Sequence, residues 1–165
     1  MQNKFLLAQK LIEHLVNLGK TLATAESCTG GGIGQALTSV SGSSAAYGYG
    51  IISYSNEAKE KVLQVPHNIL EEYGAVSTET ADAMCRGAKA LSGADFAVAV
   101  TGIAGPGGGS AEKPVGLVYI GCIDANDRVE VEKHIFKGTR DEVREQTIKA
   151  ALKLVLNISG AKIDE

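Results

Sequence analysis

Five consecutive apolar residues, Phe96-Ala97-Val98-Ala99-Val100, constrain the fold of this chain most. A strand with one wet face alternates apolar and polar residues, so an unbroken run has to be covered on both faces. The neighbouring sequence supplies the covers. Upstream, Ser77 caps a helix with acidic Glu79 and Asp82 near its start. Its apolar face is Ala81, Met84, Cys85, Ala88 and Leu91, and Gly93 ends it. Further back, Phe5 to Leu18 carries a helical stripe of Leu7, Leu11, Leu15 and Leu18, stopped at Gly19. Thr21 to Ala25 then reads as a strand and Gly32 to about Val40 as a helix. Tyr47 to Tyr54 reads as a second strand, although Gly48 and Gly50 weaken it and suggest a close backbone neighbour. Ser55 caps a helix through Glu57, Ala58, Lys59 and Val62, and Pro66 opens a short one closing near Gly74.

Leu117 to Ile123 and Val129 to Phe136 form a hairpin across Asp124-Ala125-Asn126-Asp127. Thr139-Arg140-Asp141-Glu142 is a capping box, and the helix behind it buries Val143, Ala150, Ala151, Leu154, Val155 and Ile158. The tail after Gly160 is expected to fray. Helices alternating with strands, with one late hairpin, predict a three-layer α/β/α sandwich. Its sheet should be mixed, mostly parallel, with an antiparallel strand from the hairpin. At 165 residues the expectation is a single domain over 1–165.

Charge and composition narrow the function. A net charge of −3, without a basic run, argues against a nucleic-acid surface. No apolar run is long enough to span a bilayer, and the N-terminus opens into an amphipathic segment rather than a signal peptide. A cytoplasmic protein is expected. Cys28, Cys85 and Cys122 form no disulfide framework, and no His/Cys cluster has metal-ligand spacing.

Three loops follow predicted strands and should meet at one sheet end, the usual ligand end: Glu26 to Gly31, Tyr54 to Lys59 and Thr101 to Gly109. In the first, Thr24-Ala25-Glu26-Ser27-Cys28-Thr29-Gly30-Gly31, a strand turns into a helix with the Ser27 hydroxyl at its apex. Either Ser27 is a nucleophile, or Ser27 and Thr29 cap the helix. A serine needs a base, and His14, His67 and His134 are badly placed to serve. Lys59 can serve if burial and the positive end of its helix keep its amine neutral. A lysine in the run Glu57-Ala58-Lys59-Glu60-Lys61 is otherwise more often a solvated surface residue. The Tyr54 hydroxyl can pass a proton between Ser27 and Lys59. The Gly102 to Gly109 loop lacks the Gly-Lys-Ser/Thr ending of a phosphate-binding P-loop, yet it can offer N–H groups to an anion. Tyr54 and Lys59, five apart, do not match the Tyr-Lys pair of short-chain dehydrogenases.

Four blocks together carry a resemblance. They are Thr24 to Gly31, Tyr54-Ser55-Asn56-Glu57-Ala58-Lys59, Gly74-Ala75-Val76-Ser77, and Gly102-Ile103-Ala104-Gly105-Pro106 with Gly108-Gly109-Ser110 and Lys113-Pro114-Val115-Gly116. In this order the sequence resembles the CinA C-terminal domain family over nearly the whole chain, in its free-standing form. The resemblance implies hydrolysis of the carboxamide of nicotinamide mononucleotide to nicotinate mononucleotide and ammonia. It implies a Ser27 nucleophile assisted by Lys59 and Tyr54, no metal, no cofactor and a homodimer. Substrate contacts are then expected from Thr29, Gly30, Gly31, Ser44, Asn56, Gly102, Ala104, Gly105 and Arg140. Arg140 is one candidate for holding the substrate phosphate, and the N-terminus of a helix is the other. Two other functions stay open: a nucleotide-binding or regulatory domain without turnover, and an amidase for another small amide.

Overall fold

The computed structural model describes residues 3–163. Six helices and five strands follow one another: α1 (Lys4–Leu18), β1 (Leu22–Glu26), α2 (Gly32–Thr38), β2 (Tyr47–Ile52), α3 (Asn56–Lys61), α4 (His67–Tyr73), α5 (Thr78–Ser92), β3 (Phe96–Gly102), β4 (Leu117–Ile123), β5 (Val129–Ile135) and α6 (Arg140–Ile158). The strands form one sheet in the order β2-β1-β3-β4-β5. β1 pairs in parallel with β2 and β3, whereas β4 runs antiparallel to both β3 and β5. Four of the five strands therefore point one way, and the expected mixed sheet is formed.

β3 lies at the centre, and the side chains from Phe96 to Val100 are all buried. They alternate between two cores. Phe96, Val98 and Val100 pack with α1, α2 and α6, through Leu7, Leu11, Leu37, Val143 and Leu152 among others. Ala97 and Ala99 face α5 and its neighbours, through Met84, Cys85, Ala88, Leu63 and Leu70. Two helical layers thus cover one sheet. A fully buried leucine of this kind contributes roughly 1.5–3 kcal/mol against exposure. Thr139 and Glu142 close the expected capping box at the start of α6.

Two local features aim the later site. Glu26, at the end of β1, is level with Ile52 of β2 and Val100 of β3. The loops leaving these strands therefore emerge side by side, as parallel order requires. On the α5 face, Gly87 lets the chain after α3 approach closely: a Cβ there would stand 2.0 Å from the Leu63 carbonyl oxygen. That contact, with buried Leu63 and Val65, holds α3 down against the sheet. Neither β2 glycine has the close backbone neighbour expected: Gly50 makes room for side chains, the Tyr47 and Thr24 hydroxyls, and Gly48 has no neighbour within 4 Å. Among the described residues no helix is long and apolar enough to cross a membrane.

Candidate active site

The turn after β1 is built around Glu26, whose side chain is buried. Its carboxylate accepts from Thr29 Oγ1 at 2.6 Å, Ile33 N at 2.8 Å and Gly34 N at 3.0 Å. Glu26 thus satisfies the free N–H groups at the start of α2, where Gly31 itself offers no capping side chain. The capping role considered for Ser27 and Thr29 falls to this carboxylate. Thr29 only braces it, and the Ser27 hydroxyl is left for other work.

That hydroxyl meets Lys59. The Lys59 side chain runs inward from α3, and the residue is 1% exposed against 8% for Ser27. Its Nζ lies 3.1 Å from Ser27 Oγ and donates to the Ser53 carbonyl at 2.7 Å. Burial lowers its pKa from 10.5 to about 8. The carboxylates nearest in sequence do not hold the charged form. Glu26 serves α2, Glu57 pairs with Lys61 at 2.8 Å, and Glu60 pairs with His67. The expected help from a helix N-terminus is corrected here. α3 is six residues long and Lys59 stands in its last turn, so desolvation alone does the lowering.

Cys28, beside Ser27, is also buried, but with the opposite result. Burial first, and then the Glu26 charge, push its thiol up to about 11. At neutral pH it is a protonated, packed side chain rather than a thiolate nucleophile.

Tyr54 is placed differently from the expectation. The chain alternates at the end of β2, so buried Ser53 faces inward and Tyr54, 65% exposed, faces out. Its hydroxyl accepts from Arg140 Nη2 at 3.0 Å and hydrogen-bonds neither Ser27 nor Lys59. The direct hydroxyl relay is therefore not formed. The other arm of the same guanidinium, Nη1, donates to the Gly105 carbonyl at 2.8 Å. Arg140 thus ties the loop after β2 to the loop after β3, and all three loops expected at this end do meet.

The family model for the CinA C-terminal domain matches residues 4–159. The chain belongs to this family. Among its relatives is the nicotinamide-nucleotide amidohydrolase PncC of Pseudomonas putida, 51% identical over 152 residues, which are 92% of this chain and 94% of that protein. A CinA-like protein of Geobacter sulfurreducens is 52% identical over 134 residues, 81% of this chain and 32% of that one. The chain spans about a third of the length of most of the curated relatives it matches. The competence/damage inducible protein CihA from Agrobacterium tumefaciens superposes with a TM-score of 0.93 at 45% identity, covering 96% of each chain. A CinA superfamily protein from Klebsiella pneumoniae gives 0.92 at 34% identity, over 96% of this chain and 98% of that one.

The remaining expected residues divide. Gly30 and Gly31 take φ of +58° and +102°, a backbone that L side chains rarely adopt, and so turn the chain into α2. Among the described residues, the N–H groups of Cys28 and Thr29 in the same turn have no protein acceptor. Asn56 is exposed at the start of α3, near Tyr54. Ala104 is buried in the core, and Gly105 reaches the site through its carbonyl. Gly102 is needed against β4, because a Cβ there would stand 2.6 Å from Val118 Cγ2.

Ser44 is not brought to this site within the chain. It is exposed in a 3-10 turn before β2, at the opposite end of the sheet. Six strand residues at about 3.3 Å each put roughly 20 Å in between. Two contributors were missed in the sequence. A carboxylate closing a buried strand just before a helix was the signal for Glu26. Arg144, whose Nη2 donates to the Thr29 carbonyl at 3.0 Å, was signalled by its i+4 spacing from Arg140.

Proposed function

We propose that this protein is an amidohydrolase. It cleaves the carboxamide of nicotinamide mononucleotide to give nicotinate mononucleotide and ammonia. The observation that carries the mechanism is the buried Lys59 amine, 3.1 Å from Ser27 Oγ and held at a pKa of about 8. The kinship with the Pseudomonas putida enzyme, over almost the full length of both chains, supports the substrate.

Roughly one Lys59 in ten is neutral at pH 7 when its pKa is about 8. The neutral amine takes the Ser27 proton as Oγ attacks the carboxamide carbon. The oxygen that becomes negative is received by the open N–H groups of Cys28 and Thr29. The Lys59 ammonium then returns its proton to the departing nitrogen, which leaves as ammonia. Water enters, gives a proton to Lys59 and attacks the acyl carbon; the bond to Ser27 Oγ breaks as the Lys59 ammonium returns that proton to Oγ, which frees the acid and restores the serine–lysine pair. Tyr54 and Arg140 act together at the mouth, with Arg140 binding the phosphate and Tyr54 holding the guanidinium in place.

A buried serine–lysine pair without a competing carboxylate favours turnover over a binding-only domain, since a buried amine is costly to keep. The test is ammonia release by purified protein from nicotinamide mononucleotide, with nicotinamide riboside and nicotinamide as controls. No release from the nucleotide would refute the assignment.

Residues 1–165 are proposed to act as one catalytic domain in a homodimer. The β2 edge, with exposed Tyr49 and Ile52, supports a second copy as its cover. Cytoplasm is the proposed compartment, because the three free, buried thiols of Cys28, Cys85 and Cys122 suit a reducing environment.

A further inference from the structure

We infer that Arg144 is a positioning residue for the nucleophile turn: it clamps the Thr29 carbonyl so that the Cys28 and Thr29 N–H groups stay aimed at the reacting oxygen. This rests on the proposed Ser27 chemistry, though not on the identity of the amide. Three observations converge on it. Arg144 Nη2 donates to Thr29 O at 3.0 Å, across 115 residues of sequence. Gly30, the next residue, makes the approach possible, since a Cβ there would stand 3.2 Å from the same nitrogen. The Cys28 and Thr29 amides, between Ser27 and this carbonyl, have no protein acceptor among the described residues, as is also true of Gly31 N–H on its far side.

The rest of the turn is pinned from other sides. Ser27 N donates to Val100 O at 3.1 Å, Gly30 N returns to Ser27 O at 3.1 Å, and Thr29 Oγ1 is held by Glu26. Among the described residues Arg144 supplies the one hydrogen bond from α6 to this turn. It stands one helical turn beyond Arg140 on the same face, so two guanidiniums from one helix do different jobs. Arg140 spans the two outer loops, and Arg144 reaches the turn that carries Ser27. A positive charge beside that turn also favours a developing oxyanion.

Small displacements of a reacting group cost about 100-fold in rate. Arg144→Met is therefore expected to lower kcat by about 100-fold while KM stays within about threefold. Arg144→Lys should recover part of the loss, because an ammonium can reach one carbonyl without the fork of a guanidinium. Gly30→Ala, which crowds the same nitrogen, should fall in the same direction. Should Arg144→Met not fold, the other two variants carry the test.

The rate at which phenylmethylsulfonyl fluoride modifies Ser27, with Ser27→Ala as the blank, should fall in parallel, since it needs the turn but not the nucleotide. A folded Arg144→Met protein with unchanged kcat and sulfonylation overturns the inference. So does a loss confined to KM for the phosphate-bearing substrate, which would make Arg144 a phosphate ligand. Wild-type protein that is sulfonylated at Ser27 but releases no ammonia from the nucleotide refutes the substrate assignment instead, and the sulfonylation rates then decide the role of Arg144.

Discussion

Lys59→Met separates the catalytic role of the amine from its effect on the fold. In the unfolded chain this lysine titrates near 10.5, and in the folded chain near 8. The unfolded state therefore binds the extra proton between those two values. Below about pH 8 both states are protonated and the folded chain carries the full penalty of a buried ammonium. The penalty fades as pH rises toward 10.5, where both states become neutral. At about 1.4 kcal/mol per pH decade, the gap of 2.5 corresponds to about 3 kcal/mol of destabilisation at pH 7. Methionine removes that penalty but leaves the Ser53 carbonyl without its Nζ donor, at a cost of about 1–3 kcal/mol. Near pH 7 the variant should accordingly be as stable as the wild type or slightly more so, and inactive. The decisive quantity is the pH dependence of the difference. Urea unfolding of both proteins at pH 7 and pH 10 should show the wild type gaining about 2–3 kcal/mol on the variant. Wild-type kcat/KM should rise with pH as a single ionisation and level off above about pH 8. A stability difference that does not move with pH would mean that burial does not lower the pKa of the amine. Retained turnover in the variant would remove Lys59 from the mechanism.

Three further outcomes are expected. Ser27→Ala should lose activity by several orders of magnitude while Cys28→Ala keeps most of it, measured by ammonia release. The reverse pattern would transfer the nucleophile to Cys28 despite its raised pKa. Arg140→Ala should raise KM for the nucleotide far more than for the riboside, and Tyr54→Phe should do the same more weakly through their shared hydrogen bond. A loss in kcat alone for Tyr54→Phe would restore it as a proton carrier. Glu26→Gln, which puts an amide nitrogen where the carboxylate accepts three donors, should lower unfolding stability by about 1–3 kcal/mol, and thermal melting showing no loss would refute its capping role.

Much of this protein is written locally. The apolar run at Phe96 to Val100, the capping box at Thr139 and Glu142, and the Asp124 to Asp127 hairpin state their structures directly, because period, caps and turn residues act over a few positions. The same locality made Ser27, Lys59 and Arg140 visible as candidates, through strand–helix order and family blocks. What the sequence alone could not decide was the environment of each group. Whether Lys59 is a surface lysine or a buried base depends on Leu63 and Gly87 holding α3 against the sheet, far along the chain from Ser27. Which residue caps α2 depended on the reach of Glu26, and the direction of Tyr54 on strand alternation continued past β2. Arg144 meets Thr29 across 115 residues, and Ser44 is carried to the far end of the sheet by the direction of β2. Spacing along a chain fixes which face a side chain takes within one element. Desolvation and hydrogen bonding between elements come into being only when those faces are packed together.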